Sequence, residues 1–476
     1  MPAHATALVW FRRDLRLSDN PALQYALANA GTVVPIYVFA PDEDADWVPG
    51  AASRWWLHHS LSALDAELQA RGSRLILRCG ASGDVLRAVA AETQATLLTF
   101  NRLYEPAALK RDRAVQSSFA PPLEVTSFNA NLLFEPGSIR NGTGQPYKVF
   151  TAFWRKAQTQ LDELPKPTKA PRDLPSPSAW PRSDRLDSFD LLPRIRWDAG
   201  FSEQWLPGTE GATRELRRFH RVIAGYGESR NRPDVIGTSR LSPHLHFGEI
   251  SPIEVFAKSQ ELSDAGTQIY RAELGWREFA HHLLYEFPET TTHPLDRRFE
   301  RMPWSRRKSH LRAWQQGVVG YPIVDAGLRE LWHRGWMHNR VRMIVASFLT
   351  KNLQHHWLEG ARWFWDTLVD ADLANNTLGW QWTAGCGADA APYYRIFNPV
   401  LQAERFDPQR AYIRRWIPEL ASLPNRWIHR PWLAPAAALS AANVRLGTTY
   451  PKPIVELIRS RNEAMRAYQR IQTPGN

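Results

Sequence analysis

The segment from Asp370 to Trp382 combines polar and aromatic side chains in a pattern suited to a redox-active aromatic cofactor. Within thirteen residues it holds two acids, two amides and two indoles, at Asp370, Asp372, Asn375, Asn376, Trp380 and Trp382. Acids and amides in an apolar neighbourhood are costly unless they are hydrogen-bonded. Indoles are easily oxidised, which neither a metal site nor a nucleophile triad requires. A buried polar network among core tryptophans explains this segment equally well, so both interpretations stay open here.

Residues 237–243, Gly-Thr-Ser-Arg-Leu-Ser-Pro, have the composition of a phosphate-binding turn. Three hydroxyls, those of Thr238, Ser239 and Ser242, and one guanidinium precede a predicted helix. We expect Ser242 to be the N-cap of this helix and Pro243 to take its first position. Free N–H groups at a helix start, short hydroxyls and an arginine together favour an anionic pyrophosphate. Capping alone would explain only the last two residues of the run.

Two further segments place charged side chains together on helices. Glu273, Trp276 and Arg277 are spaced i, i+3 and i+4, so they share one helix face. An ordinary intrahelical ion pair beside a packed indole is the alternative for this group. A second set opens a helix whose apolar residues, from 340 to 353, surround nearly its whole circumference; this set is Asn339, Arg340, Arg342 and Met343. Two arginines at the mouth of a buried helix favour anions.

A metal site is not indicated. Adjacent histidines on a helix point about 100° apart, and no cysteine or acid cluster completes a familiar ligand spacing. The histidines concerned are the pairs 58–59, 281–282 and 355–356 together with His244 and His246. The two cysteines, Cys79 and Cys386, lie too far apart in sequence to chelate and are too few for a zinc or iron–sulfur centre. They are consistent with a reducing cytosol.

Composition points to a nucleic-acid partner. The 476 residues carry 59 basic and 48 acidic side chains, a net charge of +11, without a basic low-complexity tail. A cationic surface on a folded body is typical of proteins that bind nucleic acid, although basic proteins without such a partner exist. Tryptophan (21) outnumbers tyrosine (13), which favours stacking on bases or a flavin, or electron relay. No signal peptide or membrane span is indicated, so we expect a cytoplasmic protein.

The elements that position these groups divide the chain into three parts. Residues 1–130 alternate strands with helices, which predicts an α/β domain with a Rossmann-like parallel sheet and helices on both faces. The predicted strands are 7–11, 32–39, 74–78, 95–100 and 123–127. No Gly-x-Gly-x-x-Gly turn follows the first strand, which argues against a dinucleotide on the sheet. Seven prolines between 165 and 193 predict an extended linker within 131–210. Residues 211–476 read as an all-α domain.

The chain resembles the photolyase/cryptochrome family of blue-light flavoproteins over nearly its full length, from residues 8–17 to residues 450–455. The blocks that carry the resemblance occur in the family's order. They are Gly-Thr-Ser-Arg-Leu-Ser (237–242), Trp-Arg-Glu-Phe (276–279), Gly-Tyr-Pro-Ile-Val-Asp-Ala (320–326), Gly-Trp-Met-His-Asn-Arg (335–340) and Gly-Trp-Gln-Trp (379–382). The resemblance implies a U-shaped FAD bound by the helical domain.

Site roles follow from the resemblance residue by residue. The flavin's diphosphate and ribityl region would be held by Tyr226, Thr238, Ser239, Leu241 and Ser242. The rest of the flavin would be lined by Arg277, Asn339, Arg342, Asp370 and Asp372. Asn376 would face the flavin N5, where a neutral amide supports the reduced anion. An electron relay from flavin to surface would run through Trp380, Trp357 and Trp304.

The resemblance also implies a substrate. Trp276 and Trp382 match the indoles that clasp a flipped-out pyrimidine dimer, and further contacts to it match Glu273, Arg340 and Met343, with Glu273 also counted as catalytic. The branch that repairs (6-4) photoproducts has two histidines where this chain has Asn339 and Met343. Plant signalling relatives commonly carry Asp at the position of Asn376. The resemblance thus favours a cyclobutane pyrimidine dimer photolyase of bacterial class I or III, in which excited FADH⁻ donates an electron to the dimer.

Other features stay open at this point. A cryptochrome-like blue-light receptor without repair activity is the alternative function, and we expect a monomer. The antenna chromophore is open between 5,10-methenyltetrahydrofolate, 8-hydroxydeazaflavin and none. Ala107 and Ala108 stand at the folate contacts of one branch, and Trp47 stands near a contact that is usually polar.

Overall fold

A five-stranded parallel sheet forms the N-terminal part of the protein in the computed structural model, which describes residues 3–390 and 394–472. Its spatial order is β3-β2-β1-β4-β5. The strands are β1 His4–Phe11, β2 Ala30–Phe39, β3 Ile76–Cys79, β4 Leu97–Asn101 and β5 Glu124–Phe128. All five predicted strands are therefore confirmed, with ends that differ by at most three residues. The central strand β1 pairs with β2 and β4, so Val9 lies between Pro35 and Thr99.

Helices cover both faces of this sheet, as the alternation of strands and helices predicts. Four helices do so: α1 Pro21–Asn29, α2 Ala51–Gln69, α3 Ser82–Thr93 and α4 Pro106–Ser118. Residues Val9 and Phe11 of β1 pack with α1 and α2, whereas Leu8 and Trp10 pack with α3 and α4. Alternate residues of a strand point to opposite faces, so β1 contributes to two cores at once. Asn20 caps α1 by accepting a hydrogen bond from the Leu23 N–H, with Pro21 directly after it.

The region between sheet and helical part is not extended throughout. It contains α5, Phe150–Gln158, upstream of the proline-rich run. The proline-rich run itself contributes Leu174, Phe189 and Leu191 to the core beside the sheet. Those residues hold the segment against the N-terminal part, although its prolines prevent regular secondary structure. The division at residues 130 and 210 stays a prediction.

The remaining described residues form helices and no strand. The helices are α6 Thr209–His220, α7 Tyr226–Ser229, α8 Ser242–His246, α9 Pro252–Gln260, α10 Ala265–Glu286, α11 Lys308–Gln315, α12 Pro322–Arg334, α13 Asn339–Ser347, α14 Trp357–Thr367, α15 Leu373–Ala384, α16 Pro399–Phe406, α17 Ala411–Trp416, α18 Ala436–Ala441 and α19 Leu457–Gln472. Short 3₁₀ helices occupy Pro41–Trp47, Leu161–Glu163, Leu186–Phe189, Ile223–Gly225, Pro288–Thr291, Arg297–Arg301, Pro418–Leu420 and Pro431–Leu433. Of the described helices, none has the length and apolar character needed to cross a membrane.

The predicted apolar helix of residues 340–353 consists of an α-helix followed directly by a π-helical turn. Helix α13 continues into a π-helical turn, Phe348–Asn352. The turn is buried on all sides, including the side chain of Lys351. Its ammonium donates to the carbonyl of Ala384 at 2.7 Å and lies 3.2 Å from the ring centroid of Tyr394. This helix therefore belongs to the interior of the helical part, as its sequence predicts.

Arg16 joins the two parts of the protein. Its guanidinium is fully buried and donates to three backbone carbonyls, those of Asp19, Ala130 and Gly248. Gly248 belongs to the helical part, so the bond at 2.8 Å crosses between the domains. Gly248 itself has φ +67°, and a Cβ there would lie 2.1 Å from the carbonyl oxygen of Arg13. The junction thus requires a buried cation and a residue without a side chain.

We expect Arg16→Met to lower the free energy of unfolding by about 3 kcal/mol, because it leaves buried carbonyls without a donor. Urea unfolding followed by tryptophan fluorescence measures the change. Arg194→Met is the matched control, since the Arg194 side chain is 88% exposed. Equal unfolding midpoints for the two variants would contradict this account of the junction.

Candidate functional site

Helix α15 carries the segment with which the sequence analysis began. It packs against α10, α13 and α14. Asp372 is its N-cap and accepts hydrogen bonds from the backbone N–H and the side-chain amide of Asn375, at 2.9 and 2.7 Å. A carboxylate at a helix N-terminus is favoured both by these donors and by the helix dipole. The cap fixes where α15 begins and so fixes the register of the side chains that follow.

Asp372 is also the centre of a buried charge network. Its carboxylate lies 3.4 Å from His246 Nδ1 and 3.4 Å from His281 Nε2. Burial would raise the pKa of Asp372, but the two histidines outweigh it and hold that pKa well below its usual range. For His281, burial disfavours the charged form, yet Asp372 outweighs it and raises the pKa above 6.5. The directions of both pKa shifts favour an ion pair between Asp372 and His281.

The network extends into the N-terminal part through Glu105, which forms a salt bridge with Arg13. One carboxylate oxygen each of Glu105 and Asp372 and one His281 nitrogen lie within 4.8 Å of one another. Burial would raise the pKa of Glu105, but Arg13 outweighs it and lowers that pKa. The cations beside both carboxylates already neutralise them, which weakens the case for a metal ion. The prediction that the protein needs no metal stays a prediction.

Asp370, two residues before the cap, pairs with Arg342 of α13. The Arg342 guanidinium donates to both carboxylate oxygens, at 3.0 and 2.9 Å, and to the carbonyl of Met337 at 2.7 Å. Asp370 is buried and Arg342 is half-buried. The structure therefore brings these two predicted flavin contacts together, and it links α13 to the loop before α15.

Asn376 and Trp380 share one face of α15, because they are spaced i and i+4. The Asn376 side-chain N–H₂ donates to the carbonyl of Ala361 at 3.0 Å, and its oxygen accepts no hydrogen bond from the described residues. Trp380 is buried against Gly360 of α14, where a Cβ would lie 2.0 Å from the indole. Trp382 is half-buried, and its indole N–H donates to the carbonyl of Asp389 at 3.0 Å.

The other predicted relay indoles continue from this contact. Trp357 opens α14 one turn before Gly360 and is fully buried. His356 links it to Trp304, with ring centroids 5.6 Å from Trp357 and 5.2 Å from Trp304. Trp304 is half-buried, in the loop before α11. The order Trp380, Trp357, Trp304 thus runs from the core toward the surface.

The turn at residues 237–242 is built differently from the prediction. Ser242 is the first residue of α8 and is exposed, while Leu241 is the N-cap and is buried, so the prediction of Ser242 as cap is wrong. The Ser239 hydroxyl accepts from the Leu241 N–H instead, at 3.4 Å. Thr238 is half-buried, and its backbone carbonyl accepts from Arg218 at 2.7 Å. The Ser242 hydroxyl is therefore left without a capping role.

Helix α10 presents the next group. Glu273 forms a salt bridge with Arg230, at 2.6 Å, rather than with Arg277. Arg277 donates to the carbonyl of Asn131 at 2.7 Å, so the intrahelical ion pair is absent. Burial raises the pKa of Glu273 even beside Arg230. Tyr226, buried at the start of α7, lies beside the same ion pair, with its ring 5.4 Å from the Arg230 guanidinium.

The remaining predicted contacts lie on the first turns of α13. Arg340 donates to the side-chain oxygen of Asn231, at 2.6 and 3.1 Å, and to the sulfur of Met343 at 3.6 Å. Asn339 is exposed and makes no side-chain hydrogen bond with the described residues. The side chains of Thr238, Ser242 and Asn339 thus make no hydrogen bond to the other groups within the described part of the chain.

Sequence reasoning missed several members of this site. Arg230 and Asn231 hold Glu273 and Arg340, and neither lies in a recognisable motif. His246, His281 and Glu105 were missed as partners of Asp372. The spacing of Arg277 and His281 at i and i+4 on α10 was the available signal, because it places the histidine on the face that carries Glu273.

Comparisons with known proteins identify relatives of this chain over nearly its whole length. Residues 7–173 match the family described as DNA photolyase, and residues 270–470 match the FAD binding domain of DNA photolyase. A deoxyribodipyrimidine photo-lyase of Agrobacterium fabrum is 45% identical over 98% of each chain. Cryptochrome-1 of Arabidopsis thaliana is 40% identical over 95% of this chain and 68% of its own. The crystal structure of a class III photolyase from Agrobacterium tumefaciens superposes with a TM-score of 0.95, at 44% identity and 98% coverage of both chains.

The parallel sheet and the helical part match the fold of that photolyase structure. The helical part carries an FAD-binding domain. The chain therefore belongs to the photolyase/cryptochrome family of flavoproteins.

Proposed function

We propose that this protein repairs cyclobutane pyrimidine dimers in DNA with blue light. The observation that carries the proposal is the arrangement of α15. Asn376 and the buried Trp380 share one face of that helix, and the half-buried Trp382, two residues later, points in another direction. One helix thus presents an amide and an oxidisable indole inward and an aromatic platform outward, for a base taken out of the stack.

The chain's polar groups fit FAD. Among the residues that the structure describes, the Asn376 amide oxygen and the Ser242 hydroxyl at a helix start have no hydrogen-bond partner, and Arg342 is held in place by Asp370. Such groups suit the edge of an isoalloxazine and a pyrophosphate. Reduced FAD, when bound, would supply the light-excited electron that splits the dimer, and the electron would return to it. The protein's own residues bind, orient and exclude water.

Each proposed residue has a distinct task. Asn376 offers a neutral group beside the flavin, so that no carboxylate repels the reduced anion. The three relay indoles would carry an electron from a reductant at the surface to the bound flavin. Trp276 and Trp382 would hold the flipped dimer, and Arg340 and the net charge of +11 would hold the surrounding phosphates. We also expect a monomer that acts in the cytoplasm.

A blue-light receptor is the second candidate, since Cryptochrome-1 of Arabidopsis thaliana is 40% identical to this chain. Both functions require FAD and photoreduction, so flavin spectra alone do not separate them. Repair activity, together with tighter binding to damaged than to intact DNA, separates them.

A second chromophore is proposed for a cavity of about 280 Å³ between the sheet and the helical part. Trp47 and Trp365 stand on its wall in edge contact, 5.3 Å apart. Buried polar atoms without a partner among the described residues also line it, namely Trp10 Nε1, Trp47 Nε1, Glu105 Oε2 and Arg111 Nη2. Several unpaired buried polar atoms on one wall indicate a polar ligand.

We propose 5,10-methenyltetrahydrofolate as this antenna. Ala107 and Ala108, which stand at the positions of folate contacts in one branch, line the same cavity. The Asp44 carboxyl on the wall can accept from an aminopyrimidine, and burial raises its pKa even beside Arg111. Arg111 suits the anionic tail of a folate.

Photoreduced protein should convert a thymine-dimer oligonucleotide to thymines under blue light and not in the dark. Chromatography of the digested oligonucleotide measures the remaining dimers. Trp382→Ala should weaken dimer binding about tenfold, since base stacking contributes about 1–3 kcal/mol. Trp332→Ala is the matched control, because that indole is 48% exposed and lies outside α15. Dimers that persist after illumination would overturn the proposed function.

Asn376→Asp should destabilise the fully reduced flavin by about 1–2 kcal/mol, because a carboxylate would face a bound anion. The measured consequence is reoxidation in air about tenfold faster than in the unsubstituted protein. Absorbance after anaerobic photoreduction follows the change. Asn425→Asp, an exposed amide outside α15, is the control. Unchanged reoxidation would remove Asn376 from its proposed position.

Protein purified in darkness and then denatured should release a folate chromophore in addition to FAD. Absorption and mass spectra identify the released compounds. Trp47→Ala should lower the folate content several-fold and leave the FAD content unchanged, because the indole stands on the cavity wall. Release of a deazaflavin, or of FAD alone, would contradict the folate proposal.

A further inference from the structure

Phe150, the first residue of α5, lies flat against Trp276. The ring centroids are 3.9 Å apart and the planes differ by 10°. Trp154, one turn later on α5, is nearly parallel to Phe150, with centroids 6.4 Å apart and planes 9° apart. Phe150 also meets the fully buried Phe279 edge to face, at 6.0 Å. The three rings form a stack in the order Trp154, Phe150, Trp276.

The stack runs from the core outward. Trp154 and Phe279 are buried, whereas Phe150 and Trp276 are half-buried. Helix α10 approaches the inner end of this stack closely, since a Cβ at Gly275 would lie 2.4 Å from the Trp154 ring. Phe150 therefore lies between the Trp276 indole and the core, and it covers the inner face of that indole. Phe150 is the only described ring that stacks on Trp276, since Phe279 meets this indole edge to face.

The same segment reaches Trp382 through Asp389. The Asp389 carbonyl accepts from the Trp382 indole N–H at 3.0 Å. The Asp389 backbone N–H donates to the carbonyl of Lys148 at 3.1 Å, and its carboxylate accepts from the Phe150 N–H at 3.4 Å. The segment of residues 148–150 is thus connected to both indoles. Phe150 stacks directly on Trp276, and Asp389 links the segment to Trp382.

We propose that Phe150 is a positioning residue for the damaged base pair, a role that rests on the proposed function. Its ring fixes the plane of Trp276 before DNA arrives, and its backbone, through Asp389, fixes the Trp382 indole. An aromatic side chain that is already held in its bound orientation loses less freedom when the ligand binds. Phe150 therefore increases affinity for the dimer without touching the flavin or taking part in the electron transfer.

Phe150→Ala should weaken binding of a thymine-dimer oligonucleotide about tenfold, which is the lower end of the loss expected when an aromatic platform is disordered. Fluorescence anisotropy with the FAD-loaded protein measures Kd in the dark. Phe150→Tyr should bind like the unsubstituted protein, because it keeps the ring. Val149→Ala, at a neighbouring side chain that is 51% exposed, is the matched control. The rate of flavin photoreduction and the fraction of bound dimers split per absorbed photon should stay unchanged in all of these variants.

Phe150→Leu serves where the alanine variant does not fold, since leucine fills most of the space without a ring to stack. A double variant that combines Phe150→Ala with Trp276→Ala completes the test. It should bind little more weakly than Trp276→Ala alone, because a backing ring has no effect once the indole is gone.

The outcomes separate the two levels of the proposal. If Trp276→Ala leaves Kd unchanged, the proposed placement of the dimer fails. If Trp276→Ala weakens binding but Phe150→Ala or Phe150→Leu does not, the role of Phe150 is overturned while the proposed function stands. Losses that multiply in the double variant also overturn it, since they would show that the two rings act independently.

Discussion

The buried Asp372 carboxylate is the constraint on which the rest of the site depends. It begins α15, and all the proposed residues on that helix take their positions from its start. A carboxylate in this environment is tolerable only because two backbone or amide N–H groups and two histidines surround it. Replacement of any one of these partners would leave a buried charge partly uncompensated. Helix α15 is therefore positioned by electrostatics as much as by packing.

That arrangement also fixes a pH window. The pKa of His281 is raised in the folded protein, so its contribution to stability is complete below the unfolded value of about 6.5 and is lost as the pH rises through the folded value. The pKa of Asp372 is lowered, so its contribution is present above the unfolded value of about 3.9 and is lost as the pH falls through the folded value. The ion pair is thus strongest between about pH 4 and 6.5, and it extends above that range because the pKa of His281 is raised.

Local signals in the sequence predicted local features well. The five strands follow from short runs of apolar residues, and tertiary contacts did not change them. The turn before α8 shows the limit of the same rule. Ser242 has the correct type and position for a cap, but Leu241 is buried in the core and takes the capping position, so the helix starts one residue earlier than predicted, at Ser242. Burial of one leucine outweighs one side-chain hydrogen bond.

Contacts between residues far apart in sequence could not be predicted from such local signals. Glu105 and Asp372 are 267 residues apart, and nothing in either neighbourhood indicates that their carboxylates share His281. Phe150 is a similar case, because its segment falls in a region that composition marks as a linker, whereas its ring stacks on a helix 126 residues later. The family resemblance supplied roles for residues within the sequence blocks that carry it. It could not supply the residues between those blocks that hold them in place.

The junction between the domains joins the two proposed chromophore sites. Arg13, Glu105 and His246 stand on the wall of the cavity proposed for the antenna, and the same three side chains belong to the charge network of Asp372. An anionic ligand in that cavity would draw on Arg13, which at present offsets Glu105 and acts favourably on Asp372. If Arg13 offset less of the negative charge of Glu105 and Asp372, both carboxylates would attract a proton on His281 more strongly. The charged form of His281 would then be favoured. The cation that lines one site is thus electrostatically linked to the carboxylate that starts the helix of the other.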